Sequence, residues 1–352
     1  MISNILPIAA LAGAAMAACP LSVEIAGANG HVTEVAVTNN GNEAVTVFKG
    51  NTVFSEHATL DLALEADGKA LPFEGAFVNY KRSNIAPEMF QTIQPGETIT
   101  ASVNAAKTYK LAGIAEAQAT AVQGFHYVTG TVAPANLKDA AFCESVTSNP
   151  VTITPDQEVV AAEHISARSE ATFESRIKKR AITYSSCSSS QTSSLKTSVN
   201  NAISMSTAAR TAAASSADYY TTWFKSTSVL SKVQSIYQKV AGVQTTSPKI
   251  SCTDTYGDCA DGSALLYTVP SDNVIVPCPN NGFWGFPELA STCSDFDYDR
   301  AGSILHEATH LYGTNDYAYG PTAAKKLSAA QAAANADTYE MYAGSVRLGG
   351  CN

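Results

Sequence analysis

The chain has 352 residues, 45% of them hydrophobic and 15% charged, with a net charge of −9. That is enough for about two domains with formed cores, and the sparse, mildly acidic charge suits an exported chain and calls for no nucleic-acid partner. No run after the leader reaches the ~18 to 20 apolar residues that a membrane helix needs, so no membrane partner is expected either.

In chain order, MISNILPIAALAGAAMAACP comes first. An apolar stretch from Ile5 to Ala15 runs into small residues, and Ala15-Met16-Ala17 and Met16-Ala17-Ala18 both offer cleavage sites. Residues 1–18 therefore read as a signal peptide, and the protein is expected outside the cell. No Asn-x-Ser/Thr sequon occurs, so N-glycosylation is not expected.

Residues 19–150 read as all-β. LSVEIAG, TEVAVTN, AVTVFKG and TITASVNA alternate or carry β-branched residues, and NNGN, ADGK and QPGE supply turns. A small sandwich is predicted. His31, His57, His126 and His164 are scattered through this half, and no site chemistry is read from them.

At RIKKRAITYSSC the character changes. A basic run in a polar linker of an exported protein is where processing proteases cut, because only extended, exposed backbone fits their clefts. Cleavage after Lys178-Lys179-Arg180, with Lys179 and Arg180 as the processing pair, would divide a propeptide, 19–180, from a mature domain, 181–352. The halves differ in several ways. Cys19 and Cys143 precede the seam and six cysteines follow it, so each half can close its own bridges. Beyond residue 180 there are ten Lys/Arg against thirteen Asp/Glu, a net −3 that leaves −6 for the first half.

The second half opens with helical spacing over 194–224 and 226–242. ALLYTV and NVIVP, separated by PSD, predict a hairpin or neighbouring strands. Helix returns at about 299–312 and 323–343, so the class is α+β.

The chemistry lies in DYDRAGSILHEATHLYG, residues 297–313. Ala301, Ile304, Leu305, Ala308 and Leu311 share one helical face, Asp295, Asp297 and Asp299 sit at or before the start, and Gly313 is a plausible stop. His306 and His310 are four residues apart on one face, so both can reach one metal, and Glu307 can take a proton from a metal-bound water. They are the only histidines after the seam. A third ligand must therefore be acidic, and Asp316, Asp337 and Glu340 are the candidates. Asp316 follows His310 by six residues with Gly313 at the midpoint, the spacing of the third ligand in HExxHxxGxxH proteases.

HEATH followed by GTNDYAYG resembles the HExxH plus GTxDxxYG signature of the deuterolysin family of fungal metalloproteases, the aspzincins. The resemblance extends to the precursor layout of signal, long propeptide, basic seam and six-cysteine protease. It implies a zincin-like fold, one Zn²⁺ per mature chain held by His306, His310 and Asp316, and Glu307 as catalytic base. Tyr319 would stabilise the transition state, and Asp337 would support a zinc-bound histidine from behind. It also implies sequential bridges, Cys187–Cys252, Cys259–Cys278 and Cys293–Cys351, and protein substrates, with basic nuclear proteins such as histones and protamines favoured. Cys19 and Cys143 are expected to pair. The propeptide is expected to assist folding and block the cleft as an intramolecular inhibitor. Asp295, Asp297, Asp299, Asp337 and Glu340 are expected to ring the cleft with negative potential; helix capping is the other reading of the three early aspartates.

The expectation is thus a secreted zinc metalloendopeptidase made as a zymogen. A secreted zinc exopeptidase and a non-enzymatic cell-wall or adhesion module are the alternatives, and the last predicts no role for Glu307.

Overall fold

The computed structural model describes residues 19–165, 181–215, 219–292 and 299–351. The leader, Lys179 and Arg180, Cys293, Asp295 and Asp297 lie outside the described residues. The protein is a mixed α/β molecule.

The first half builds two sheets. Strands β1 (Leu21–Asn29) and β2 (Val32–Asn39) form a hairpin, and β8 (Thr98–Asn104) completes a three-stranded sheet. In β1 the buried Leu21, Val23 and Ile25 alternate with exposed Ser22, Glu24 and Ala26, the period of a half-buried strand. The second sheet centres on the long β9 (Ala117–Thr129). It gathers β3 (Val45–Phe48), β4 (Leu62–Ala66), β5 (Lys69–Ala70), β7 (Phe90–Ile93), β10 (Ala141–Thr147) and β11 (Val151–Ile153). One core joins the two sheets, with Val23, Val35, Val47, Leu64 and Phe125 among its members. A Cys19–Cys143 disulfide ties the first described residue to β10.

In the second half, the long helix α1 (Ser189–Ala214) starts at a capping box in which Ser188 and Gln191 satisfy each other's backbone N–H. It packs with α2 (Leu230–Ala241), α3 (Arg300–His310) and α4 (Ala336–Leu348) around Leu195, Trp223, Leu305 and Tyr339. A sheet of β12 (Thr183–Ser185), β13 (Lys249–Ser251), β15 (Val274–Pro277) and β14 (Ala264–Val269) lies beside them. The predicted hairpin is β14–β15, turned by Pro270–Asp272 and a left-handed Asn273. Disulfides join Cys187 to Cys252 and Cys259 to Cys278, and Cys351 is also bonded.

Three features differ from the sequence reading. First, the halves share a sheet: β6 (Phe77–Tyr80) leaves its neighbours and pairs antiparallel with β14 as the outermost strand of the second half's sheet. Second, the helix expected over 323–343 is divided into Gly320–Ala324, Ala329–Ala332 and α4. Ser328 starts a new capping box, and Asn335 spends its side chain on a neighbouring loop. Such side-chain-to-backbone bonds interrupt a helix without disturbing its apolar spacing. The helix expected over 194–224 likewise stops at Ala214. Third, α3 is not amphipathic in its surroundings. Every residue from Ala301 to His310 is buried, so the face opposite the apolar one is covered as well.

Candidate active site

Helix α3 carries the site. Asp299 caps it, accepting from the Gly302 N–H at 2.5 Å, and also accepts from the Ala290 N–H. Asp299 is therefore used in capping, the other reading of the early aspartates. One turn apart, His306 and His310 present their rings at 5.0 Å between centroids. Gly313, at φ +93°, reverses the chain after the helix in a conformation that a side chain would strain. The reversal returns Asp316 beneath both rings, with Oδ1 3.2 Å from His306 Nε2 and Oδ2 3.4 Å from His310 Nε2.

The other acidic candidates are on the opposite side of His306. Asp337 Oδ1 is 3.2 Å and Glu340 Oε2 3.4 Å from its Nδ1. His310 Nδ1 lies 3.1 Å from the Thr314 carbonyl oxygen, which accepts its proton. His310 is thus hydrogen-bonded through Nδ1 and His306 has carboxylates at ion-pair distance from its Nδ1, which leaves both Nε2 atoms facing Asp316.

The convergent atoms suit a metal. His306 Nε2, His310 Nε2 and both Asp316 oxygens are buried, and among the described residues none has a hydrogen-bond partner. Ligand atoms of these three residues lie within 4.8 Å of one another. Two imidazoles and a carboxylate, with a further position open, are the donor set of a catalytic zinc. Burial alone would raise the Asp316 carboxyl, but His310 and His306 hold it well below the usual range.

Glu307 is fully buried, and burial pushes its carboxyl up to about 7 against the pull of His306, His310 and the Thr268 hydroxyl. Thr268, on β14, donates to Glu307 Oε2 at 2.6 Å, while Oε1 has no partner among the described residues. Tyr319 is buried, and its hydroxyl donates to the Val78 carbonyl at 2.7 Å. Burial, with the Asp316 carboxylate adding to it, holds that hydroxyl well above its ordinary value.

Asn335 organises the loop bearing Asp316. Its Oδ1 accepts from the Tyr317 and Ala318 N–H groups at 2.8 and 3.0 Å, and its Nδ2 donates to the Ala318 carbonyl and Thr338 hydroxyl at 3.1 Å each.

Sequence reasoning missed Thr268, Asn335 and the first half's contributions. Phe77 stacks on His310 at 4.4 Å with planes 5° apart. Arg82 pairs with Asp337 at 3.1 Å and Glu340 at 3.2 Å. His57, read as carrying no site chemistry, bridges Asp258 and Asp261 at 3.1 Å each. His126 accepts from the Tyr319 N–H at 3.3 Å. No local pattern marks these residues, because each acts on a partner distant in sequence, and those of the first half act across the seam.

Residues 209–344 match a model of the aspzincin M35 family described as lysine-specific metallo-endopeptidase. A "Neutral protease 2 homolog" of Sclerotinia sclerotiorum is 30% identical over 342 residues, covering 94% of this chain and 90% of that protein. Another, of Botryotinia fuckeliana, is 31% identical over 367 residues, covering 99% of each. Among solved structures, a zinc peptidase from Grifola frondosa is 29% identical and covers 45% of this chain and 97% of that one, with a TM-score of 0.38.

Proposed function

We propose, from the premise that this chain belongs to the aspzincin M35 family and is a zinc metalloendopeptidase, that it is exported as a latent precursor whose second half, once released, hydrolyses proteins. The observation that carries the reading is the convergence of His306 Nε2, His310 Nε2 and Asp316 beside the buried Glu307.

His306, His310 and Asp316 would hold one zinc ion. A second group, His306 with Asp337 and Glu340, has its carboxylates engaged by Arg82. Bound zinc supplies Lewis acidity and lowers the pKa of a coordinated water. Asp337 and the Thr314 carbonyl fix the imidazole tautomers by holding the two Nδ1 atoms. Glu307 is the general base. Thr268 holds one carboxylate oxygen and leaves Oε1 to accept a proton and return it to the leaving amine. Burial raises this carboxyl above the usual carboxylate range, toward the range in which it can do both. Tyr319 donates to the carbonyl oxygen of the scissile bond as charge develops there. Its bond to a peptide carbonyl, that of Val78, supports this role.

Export is supported by the leader's pattern and by disulfides, which persist in oxidising compartments. A preference for basic proteins, histones and protamines among them, is supported by the seating of Arg82 between two carboxylates and by the lysine specificity in the matching family's description. High salt should then weaken protamine cleavage more than cleavage of a neutral peptide, and equal weakening would exclude electrostatic steering.

The central test is Glu307→Gln in the processed protein. Cleavage should fall by roughly 10²- to 10⁴-fold while zinc content is unchanged. A variant that keeps both zinc and activity would reduce HEATH to a structural zinc helix.

A further inference from the structure

We infer that residues Phe77 to Arg82 are a built-in pseudosubstrate: they occupy, along the edge of β14, the groove that receives an extended substrate, and they keep it filled until the propeptide leaves. The inference rests on the metallopeptidase reading and identifies what closes that site.

Without β6, the sheet would run β12-β13-β15-β14 and β14 would be its edge. An edge strand presents a row of unpaired N–H and C=O groups, and extended peptides are recognised by adding a strand to such a row. This edge is next to the chemistry, since Thr268 of β14 holds Glu307. Residues from the first half cover it. Phe77 pairs with Thr268, Val78 with Tyr267, Asn79 with Leu266 and Tyr80 with Ala264, and the Lys81 N–H donates to the Ser263 carbonyl at 3.0 Å. All four β6 residues are buried.

The side chains and carbonyls continue the match. Phe77, at the level of Thr268, lays its ring flat on His310. The Val78 carbonyl takes the Tyr319 hydroxyl proton that a scissile carbonyl would need. Arg82 reaches Asp337 and Glu340 behind His306. The loop beside the groove is held as well. Asn51 donates to the Asp316 carbonyl, and a Cβ on Gly124 of β9 would meet the Tyr317 carbonyl at 2.9 Å.

Between Phe77 and Arg82 there is no histidine, cysteine or carboxylate. Closure therefore comes from an occupied strand edge and a borrowed donor, and a metal-capping side chain is not what the segment offers. Its ends are tethered, by the Ala76 N–H to the Ala58 carbonyl at 2.9 Å and by a bridge from Ser83 to Asn136. That tethering keeps the segment from sliding through the groove. Once it is gone, a substrate residue at the Phe77 level would face His310 and one at the Arg82 level would face Asp337 and Glu340.

The test uses a fluorescent peptide of residues 74–83, EGAFVNYKRS, and chain processed after Arg180 and freed of its propeptide. Glu307→Gln in the processed chain prevents hydrolysis. The peptide should bind the processed chain and not the intact one, and replacing its Phe77 and Arg82 equivalents by Ala and Gln should weaken binding roughly tenfold or more. In parallel, intact chains with Lys179 and Arg180 replaced by Gln are assayed on a short fluorogenic peptide. Phe77→Ala/Arg82→Gln should raise latent activity by roughly tenfold or more over the parent, and His57→Gln should raise it far less. The inference is overturned if the processed chain ignores the peptide, or if intact and processed chains bind it alike. Because the binding measurement needs no change in the propeptide, it decides between these outcomes even where a variant of the intact chain fails to fold. If processed wild type holds zinc yet cleaves nothing, the metallopeptidase reading fails, while peptide binding still shows whether the groove belongs to Phe77–Arg82.

Discussion

Among the described residues, two clamps join the halves, and they use one chemical device in different ways. In each, a buried cationic side chain from the first half grips a pair of carboxylates in the second. At the first clamp Arg82 holds Asp337 and Glu340, with side chains 10%, 0% and 8% exposed. At the second His57 holds Asp258 and Asp261, with the latter 29% exposed. The arginine is charged at any pH, and its partners also face His306. The histidine can lose its charge, and its partners Asp258 and Asp261 are not among the carboxylates that face His306. A permanent clamp thus sits at the chemistry and a titratable one at a distance. Removing the first half would leave Asp337 and Glu340 without Arg82, an arrangement that favours a basic side chain in its place.

The arginine clamp is the stronger of the two. In the intact chain Arg82→Met takes the arginine from two buried carboxylates that His306 alone cannot balance and should cost about 3–5 kcal/mol, measured by denaturant unfolding. A cost equal to that of the His57 variant would mean that burial does not distinguish the clamps. His57→Gln removes charge-assisted hydrogen bonds in a wetter setting and should cost about 1.5–3 kcal/mol at pH 6.

Asp337 sharpens the contrast because it serves both Arg82 and His306. In processed chain Asp337→Asn should weaken zinc retention against a chelator by about tenfold while circular dichroism is unchanged. The corresponding Asp258→Asn should leave zinc retention alone. If both variants hold zinc like wild type, Asp337 has no part in positioning the histidine.

The smallest effect is the dependence on pH. Burial alone would lower His57, but its bonds to Asp258 and Asp261 prevail and raise it from 6.5 to about 9. A group raised in the folded state contributes fully below its unfolded value and loses that contribution as pH climbs through the folded one. The stability gap between wild type and His57→Gln should therefore be complete below pH 6.5 and shrink toward pH 9. A gap that widens with pH would reverse the assignment of charge.

Much of this was legible in the sequence because it is local. HEATH puts two imidazoles on one helical face through a four-residue spacing, and Gly313 returns Asp316 within six residues, so spacing alone favoured it over Asp337 and Glu340 as the third candidate. The strands of the first half and the β14–β15 hairpin follow from alternation and turn residues. Tertiary structure decided which side of His306 each carboxylate faces, that Thr268 orients Glu307 from 39 residues away, and that Arg82 meets Asp337 across 255 residues. It also decided that FVNY closes the edge of β14. Periodicity reports which face of an element is buried, whereas a strand's partner is chosen by backbone groups that every residue carries alike. No side-chain pattern in β6 or β14 names the other, and only their meeting in the folded chain brings a first-half segment to the site.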